Sequence, residues 1–340
     1  MQNYLEKTNI SKFDQELKDY SLSNNNIDDE YVGILKGMSM AKITELINKY
    51  PDYRYVELTN SIKKEFNVNN VVLGCGSEDL IIRVNTALRE RGKIVIFTPN
   101  FYRIAETAGD YKQVRIDYNV KSEFVDFGKT TFDKGVKGVW ISNPNPMIGK
   151  IYKKSGLLRL INKYKKIIFV VDESTIDFND KSNKQSVISA AQRLNNLIVI
   201  RSFSKLYGTA GLRVGFATGK TKLLKEVEKL GLTFPVNGVA EYFIKTVLKN
   251  KSTITNIRKR ICKHKASLEK LLLSNKNIIL SRSVTNCVFF KHKKILTTDF
   301  TLNTKDHKTK FYLENRQDFD NFKITFVDTG LETLPGERIL

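Results

Sequence analysis

A mostly parallel α/β sheet followed by a smaller α+β domain is the architecture this 340-residue sequence predicts. Two observations carry that prediction. Short apolar runs rich in Val and Ile recur between helical stretches from about Val71 to Gly219, and beyond Lys220 the pattern turns helical and then alternating. Continuous apolar runs mark strands buried on both faces, as parallel sheets require.

Taken in order, the first thirty residues carry little regular signal and are expected to wrap onto the small domain or a partner. The small-residue turn Leu73 to Glu78 leads into a helical run from Asp79 to Leu88. Four strand candidates follow: Lys93 to Phe97, Gly138 to Ile141, Ile167 to Val171, and Leu197 to Ile200. Apolar residues at three- and four-residue steps through Leu223, Leu224, Val227 and Leu230 make the stretch to about Asn275 largely helical. From Ile278 the pattern alternates, with Asn286 to Phe290 and Phe322 to Val327 as strand candidates. The expected divisions are an amino-terminal arm over 1–35, a large domain over 36–240 and a small domain over 241–340.

With 41% hydrophobic and 27% charged residues, the chain can bury a core, which excludes disordered and collagen-like classes. No window approaches the roughly 18 consecutive apolar residues of a membrane span, and the amino terminus lacks a secretory layout, so a cytoplasmic protein without a membrane partner is expected. Cys75, Cys262 and Cys287 lie far apart, and His264, His292 and His307 have no ligand spacing, so no metal site is expected. The formal charge of +21 would attract nucleic acid, anionic membranes or phosphorylated metabolites. The basic clusters are short, scattered and not interleaved with aromatics, which argues for solvated lysines and against a nucleic-acid partner.

In an open parallel sheet, ligands collect outside the carboxyl ends of the strands. The residues following the apolar runs are Ser142-Asn143-Pro144-Asn145-Pro146, Asp172-Glu173-Ser174-Thr175 and Arg201-Ser202-Phe203-Ser204-Lys205. An Asn, an Asp and a Lys therefore stand at successive strand ends, each able to face one pocket. The turn Gly74-Cys75-Gly76-Ser77 at a helix start offers backbone N–H groups and the positive end of the helix dipole to a phosphate. Cys75 within it reads as a small filler residue.

Jointly, and in this order, these strings resemble the fold-type I pyridoxal-phosphate enzymes, most closely the class I/II aminotransferases of the histidinol-phosphate aminotransferase type. The core of the match is SFSKLYGTAGLRVG at 202–215, within a resemblance covering roughly 45–219. It implies the aspartate-aminotransferase-like fold and pyridoxal 5'-phosphate as cofactor, with Lys205 as its Schiff-base lysine. Asp172 would pair with the protonated pyridine nitrogen and Asn143 would donate to the phenolic oxygen. Gly76, Ser77 and Glu78 of the turn, with Ser202, Ser204 and Arg213, would surround the phosphate. Arg213 lies eight residues after Lys205, as in the family. Tyr102, or Phe101 if the loop aligns differently, would stack on the ring. Tyr50 matches a tyrosine that reaches the cofactor phosphate across a dimer interface, which implies a homodimer.

Two departures stand out. The family's D-E-A-Y reads Asp172-Glu173-Ser174-Thr175, so a threonine replaces the tyrosine that contacts the phenolic oxygen. In the last segment, Asn321 to Phe326, Lys323 stands where the family has the arginine that grips a carboxylate, and lysine cannot form the bidentate fork. The expectation is an aminotransferase acting between a small amino donor, phosphorylated or not, and a carbonyl acceptor. The alternatives are decarboxylation of phosphorylated serine or threonine on the same scaffold, and a regulatory or nucleic-acid-binding role.

Overall fold

The structure is a computed structural model, and it describes residues 28–292 apart from Asn179. These fall into two compact units. The larger holds 28–269 together with 281–289, and the smaller holds 270–280 and 290–292 among the described residues. Lys323 and the expected strand from Phe322 to Val327 lie outside the described residues.

Three helices open the larger unit: α1 (Asp28–Lys36), α2 (Met40–Asn48) and α3 (Val56–Phe66). The central sheet contains β1 (Val72–Cys75), β2 (Lys93–Thr98), β3 (Tyr111–Arg115), β5 (Val136–Ser142), β7 (Ile168–Asp172), β8 (Leu197–Ser202) and β9 (Val214–Gly219). Their order is β1-β9-β8-β7-β5-β2-β3, and only the pairings of β9 are antiparallel. The short strands β4 (Phe124–Val125) and β6 (Ile151–Tyr152) pair separately. The remaining longer helices are α4 (Gly76–Arg89), α5 (Tyr102–Ala108), α6 (Lys154–Lys163), α7 (Thr221–Lys229), α8 (Gly238–Lys249) and α9 (Lys251–Leu273).

Side chains alternate across a strand, so the continuous apolar runs feed two cores. Val95, Phe97, Val139, Ile141, Phe169, Val171 and Val199 pack on one face, with Leu157 and Ile161 of α6 and Phe243, Ile244 and Val247 of α8. Ile94, Ile96, Trp140, Ile168, Val170, Ile198 and Ile200 pack on the other, with Leu80, Ile81, Val84 and Leu88 of α4. The four sequence-predicted strands are β2, β5, β7 and β8. All four run parallel, so their carboxyl ends share one edge. At that edge Ser142 pairs with Asp172, and Asp172 with Ile200.

The stretch from Lys220 to about Asn275 is largely helical, as expected: three helices, with breaks at 230–237, where Gly231 and Pro235 stand, and at Asn250. One local expectation is corrected. The strand expected at Asn286 to Phe290 begins only at Phe289 (β11, Phe289–His292), pairing with β10 (Ile278–Ser281). Asn286 and Cys287 lie in an irregular segment whose backbone groups bond elsewhere.

Candidate active site

Three strand ends and one helix start meet at the carboxyl edge. Asp172 closes β7, and its backbone carbonyl accepts from the N–H of Asn143, just beyond β5, at 2.8 Å. Lys205 lies three residues past β8, in a turn fixed by the Gly208 N–H donating to its carbonyl at 2.9 Å and by the Ser204 N–H donating to Ser202 Oγ at 3.1 Å. Asp172 and Lys205 act on one another electrostatically.

Burial sets the ionisation of both groups. It pushes the Asp172 carboxyl up, opposed by the hydroxyl and N–H of Ser174, which donate to Oδ1 at 2.5 and 2.9 Å, and by the charges of Lys205 and Arg201. It pulls the Lys205 ammonium down, opposed by Asp172. A lowered lysine carries more of the neutral, nucleophilic amine at neutral pH. A buried carboxylate only partly compensated is a site that a further cation would stabilise.

Asn143 supplies a second unmet demand. Its side chain is 0% exposed; Oδ1 accepts from the Tyr152 N–H at 2.8 Å, while Nδ2 has no partner. Buried polar groups are almost always satisfied, so an orphaned amide N–H at a site marks an acceptor still to be supplied. Thr175 does not fill this gap, because its hydroxyl donates to the Pro144 carbonyl at 3.2 Å.

The helix start is built around an arginine. Gly76 opens α4 at φ +76°, and its N–H donates to the Arg213 carbonyl at 2.9 Å. A Cβ on Gly76 would come within 2.5 Å of Arg213 Nη2, and one on Gly215 within 2.7 Å of Ser77 N. Gly76 therefore leaves room for the exposed guanidinium, and Gly215 lets β9 lie against the first turn, whose Ser77 and Glu78 N–H groups have no intrahelical acceptor. Acids in that turn would repel an anion, but both are engaged: Arg103 Nε donates to Glu78 at 2.8 Å, and Arg83 pairs with Asp79. Asp79 also accepts from the Cys75 N–H at 2.9 Å, closing the turn on its outer side.

The aromatic turn is tied to the Asn143 loop. Ser142 Oγ donates to Asn100 at 2.5 Å, and Asn145 Nδ2 to the Pro99 carbonyl at 2.6 Å. Tyr102 opens α5, in edge contact with Phe101 at 5.0 Å. Tyr50 is not part of this cluster: it is 84% exposed and stacks on Phe234 at 4.7 Å.

Two features have no local sequence signature. Glu173 accepts from Ser186 Oγ, the Val187 N–H and Arg201, whose guanidinium also grips both oxygens of Asp177 at 2.9 and 3.0 Å. This buried ionic group joins Glu173, the neighbour of Asp172 in the chain, to Arg201 of β8. Cys287 is close enough to Lys205 for each to influence the other's ionisation. No contiguous motif holds these partners, and only the covalent neighbourhood of Glu173 to Asp172 hinted at the first.

This donor set fits pyridoxal phosphate: an amine, a buried carboxylate lacking a full counter-charge, an orphaned amide N–H and an arginine at a helix start. Comparison with known proteins agrees. The family model for aminotransferase class I and II matches residues 19–302. A histidinol-phosphate aminotransferase of Pelagibacter ubique is 30% identical over 247 residues, covering 71% of this chain and 68% of its own length. Among solved structures, the histidinol-phosphate aminotransferase of Clostridium acetobutylicum aligns with a TM-score of 0.67 at 20% identity, covering 82% of this chain and 83% of that one. L-threonine-O-3-phosphate decarboxylase of Porphyromonas gingivalis aligns with a TM-score of 0.66 at 20% identity, covering 80% of each chain.

Proposed function

This chain belongs to the class I and II aminotransferases and is a pyridoxal-phosphate-dependent aminotransferase, and from that premise we propose that Lys205 is its reactive amine and a small phosphorylated amino compound of the histidinol-phosphate kind its substrate. When bound, the cofactor supplies an aldehyde that joins amines covalently and a ring that withdraws electrons from the neighbouring carbon. Lys205 Nζ would hold that aldehyde, and as a free amine would carry a proton to or from the substrate carbon. Asp172 holds the ring nitrogen protonated, and Asn143 Nδ2 donates to the phenolic oxygen. Ser202, Ser204, Arg213 and the N–H groups of Ser77 and Glu78 hold the phosphate, Arg213 as a fork, and Gly76 leaves room for it at the turn. Tyr102 covers the ring, and Thr175 supports the Asn143 loop through Pro144. Lys323, outside the described residues, is proposed to meet the substrate's anion.

The observation that carries these roles is the orphaned Asn143 Nδ2 at the end of the strand beside Asp172. Tyr50 is assigned to the phosphate of a second subunit, on the support of its exposure. A homodimer follows from that assignment. Among the described residues no helix is long and apolar enough to cross a membrane. We place the protein in the cytoplasm, in keeping with its free cysteines.

The test is a donor screen on the cofactor-loaded protein. An amine donor should remove the visible cofactor band, and a keto acid should restore it while the donor appears as its carbonyl product. Carbon dioxide released from an amino-acid phosphate without any keto acid would replace transamination by decarboxylation.

A further inference from the structure

Segment 281–287 belongs to the larger unit, and two lysines of that unit hold it. Lys150, at the end of the Asn143 loop, is 0% exposed. Its ammonium donates to the Ser122 and Arg282 carbonyls at 2.7 Å each, to Ser281 Oγ at 3.0 Å, and more distantly to the Val120 carbonyl at 3.4 Å. Lys265 of α9 donates to the Ser283 and Thr285 carbonyls, at 2.5 and 2.8 Å. Three carbonyls of an irregular segment, at 282, 283 and 285, are thus satisfied by two cations rather than by a ladder.

The contact is also shaped by Gly149. Its carbonyl accepts from the Val284 N–H at 2.9 Å, and a Cβ there would come within 2.4 Å of Ser283 Oγ. Beyond the held carbonyls the Cys287 N–H donates to Thr285 Oγ1 at 3.3 Å, and the thiol stands within electrostatic range of Lys205.

We propose that Lys150 and Lys265 are positioning residues for the active site, a two-point clamp in which Lys150 ties segment 281–287 to the Asn143 loop and Lys265 ties it to α9, and so holds Cys287 in place. A cation buried among carbonyls is a costly way to gain stability, and burial pulls the Lys150 ammonium down to about 8. What it provides here is register. The Asn143 loop closes on Lys150, whose carbonyl accepts from the Asn145 N–H at 2.8 Å, so the residue that holds the segment carrying Cys287 also ends the loop carrying the orphaned donor.

The clamp is tested in the full chain with Lys150→Met, Lys265→Met and Lys150→Arg. Without cofactor, alkylation of Cys287 by iodoacetamide, followed by peptide mass spectrometry, should rise roughly fivefold or more in each Met variant. Cys75 and Cys262, already exposed, should label as before, and Lys150→Arg should restore most of the Cys287 protection. With cofactor, KM for the amine donor should rise more than kcat falls. The kinetic arm rests on Lys205 being the reactive amine, whereas the labelling arm does not, so the two claims fail separately. Unchanged Cys287 labelling in folded Met variants overturns the clamp, as does a rise that merely tracks unfolding by circular dichroism. If Lys150→Met does not fold, Lys265→Met and Ser281→Ala decide by the same labelling.

Discussion

The guanidinium of Arg213 occupies the space that a side chain on Gly76 would need, since a Cβ there would approach Nη2 to 2.5 Å. Gly76→Ala therefore has two faults, a β-carbon at φ +76° and a displaced arginine. The expected result is a fall in affinity for pyridoxal phosphate of about tenfold or more, with secondary structure unchanged. Equilibrium titration of the cofactor-free protein checks it. An unaltered dissociation constant would remove Arg213 from the phosphate site.

Asp172 gives a pH-dependent prediction. Because burial raises its carboxyl, the cofactor-free folded state binds that proton more readily than the unfolded chain does. Its contribution to stability is present below the unfolded carboxylate range and is lost as pH rises through the raised value. Without cofactor, Asp172→Asn should then melt higher than wild type at pH 8, by about 2–4 °C, with the gap closing toward acid. Ser174 keeps its acceptor in the variant, so the hydrogen bonds are not the cause. Cofactor affinity should fall in the same variant, and a lower melting temperature at pH 8 would contradict this account.

The Glu173, Arg201 and Asp177 group predicts a large stability effect. Arg201→Met leaves two carboxylates without their buried partner, at a cost of about 3–5 kcal/mol. Urea unfolding of the cofactor-free protein measures it. A loss under about 1 kcal/mol would mean that the pocket floods or relaxes on losing the cation.

Shared sites predict complementation. Tyr50→Ala and Lys205→Ala chains should each be nearly inactive, yet refolding them together in equal amounts should restore about a quarter of wild-type activity. Half of the dimers are then mixed, and each mixed dimer has one intact site. No recovery on mixing would place Tyr50 outside the partner's site.

How legible was this in the sequence? The four buried strands were, because strands covered on both faces are written as unbroken apolar runs. Asn143 and Asp172 followed, since each trails such a run within two residues, whereas Lys205, five residues past Ile200, was read from the SFSKLYGTAGLRVG motif. β3 was not, because it lies at the sheet edge with mostly exposed side chains and reads as an ordinary polar stretch. β9, the antiparallel strand, is a short glycine-containing run absorbed into the Lys205 motif. Residues joined only through space stayed hidden. Lys150 reaches Arg282 across 132 positions, and Arg103 reaches Glu78 across 25. In a chain with 57 Lys+Arg, nothing local separates a buried clamp from a solvated lysine.

The most direct measurement is borohydride reduction of the cofactor-loaded protein, followed by peptide mapping. The account predicts one pyridoxyl group per chain, on the peptide containing Lys205, and none in Lys205→Ala. A label on another lysine, or no label at all, would contradict it.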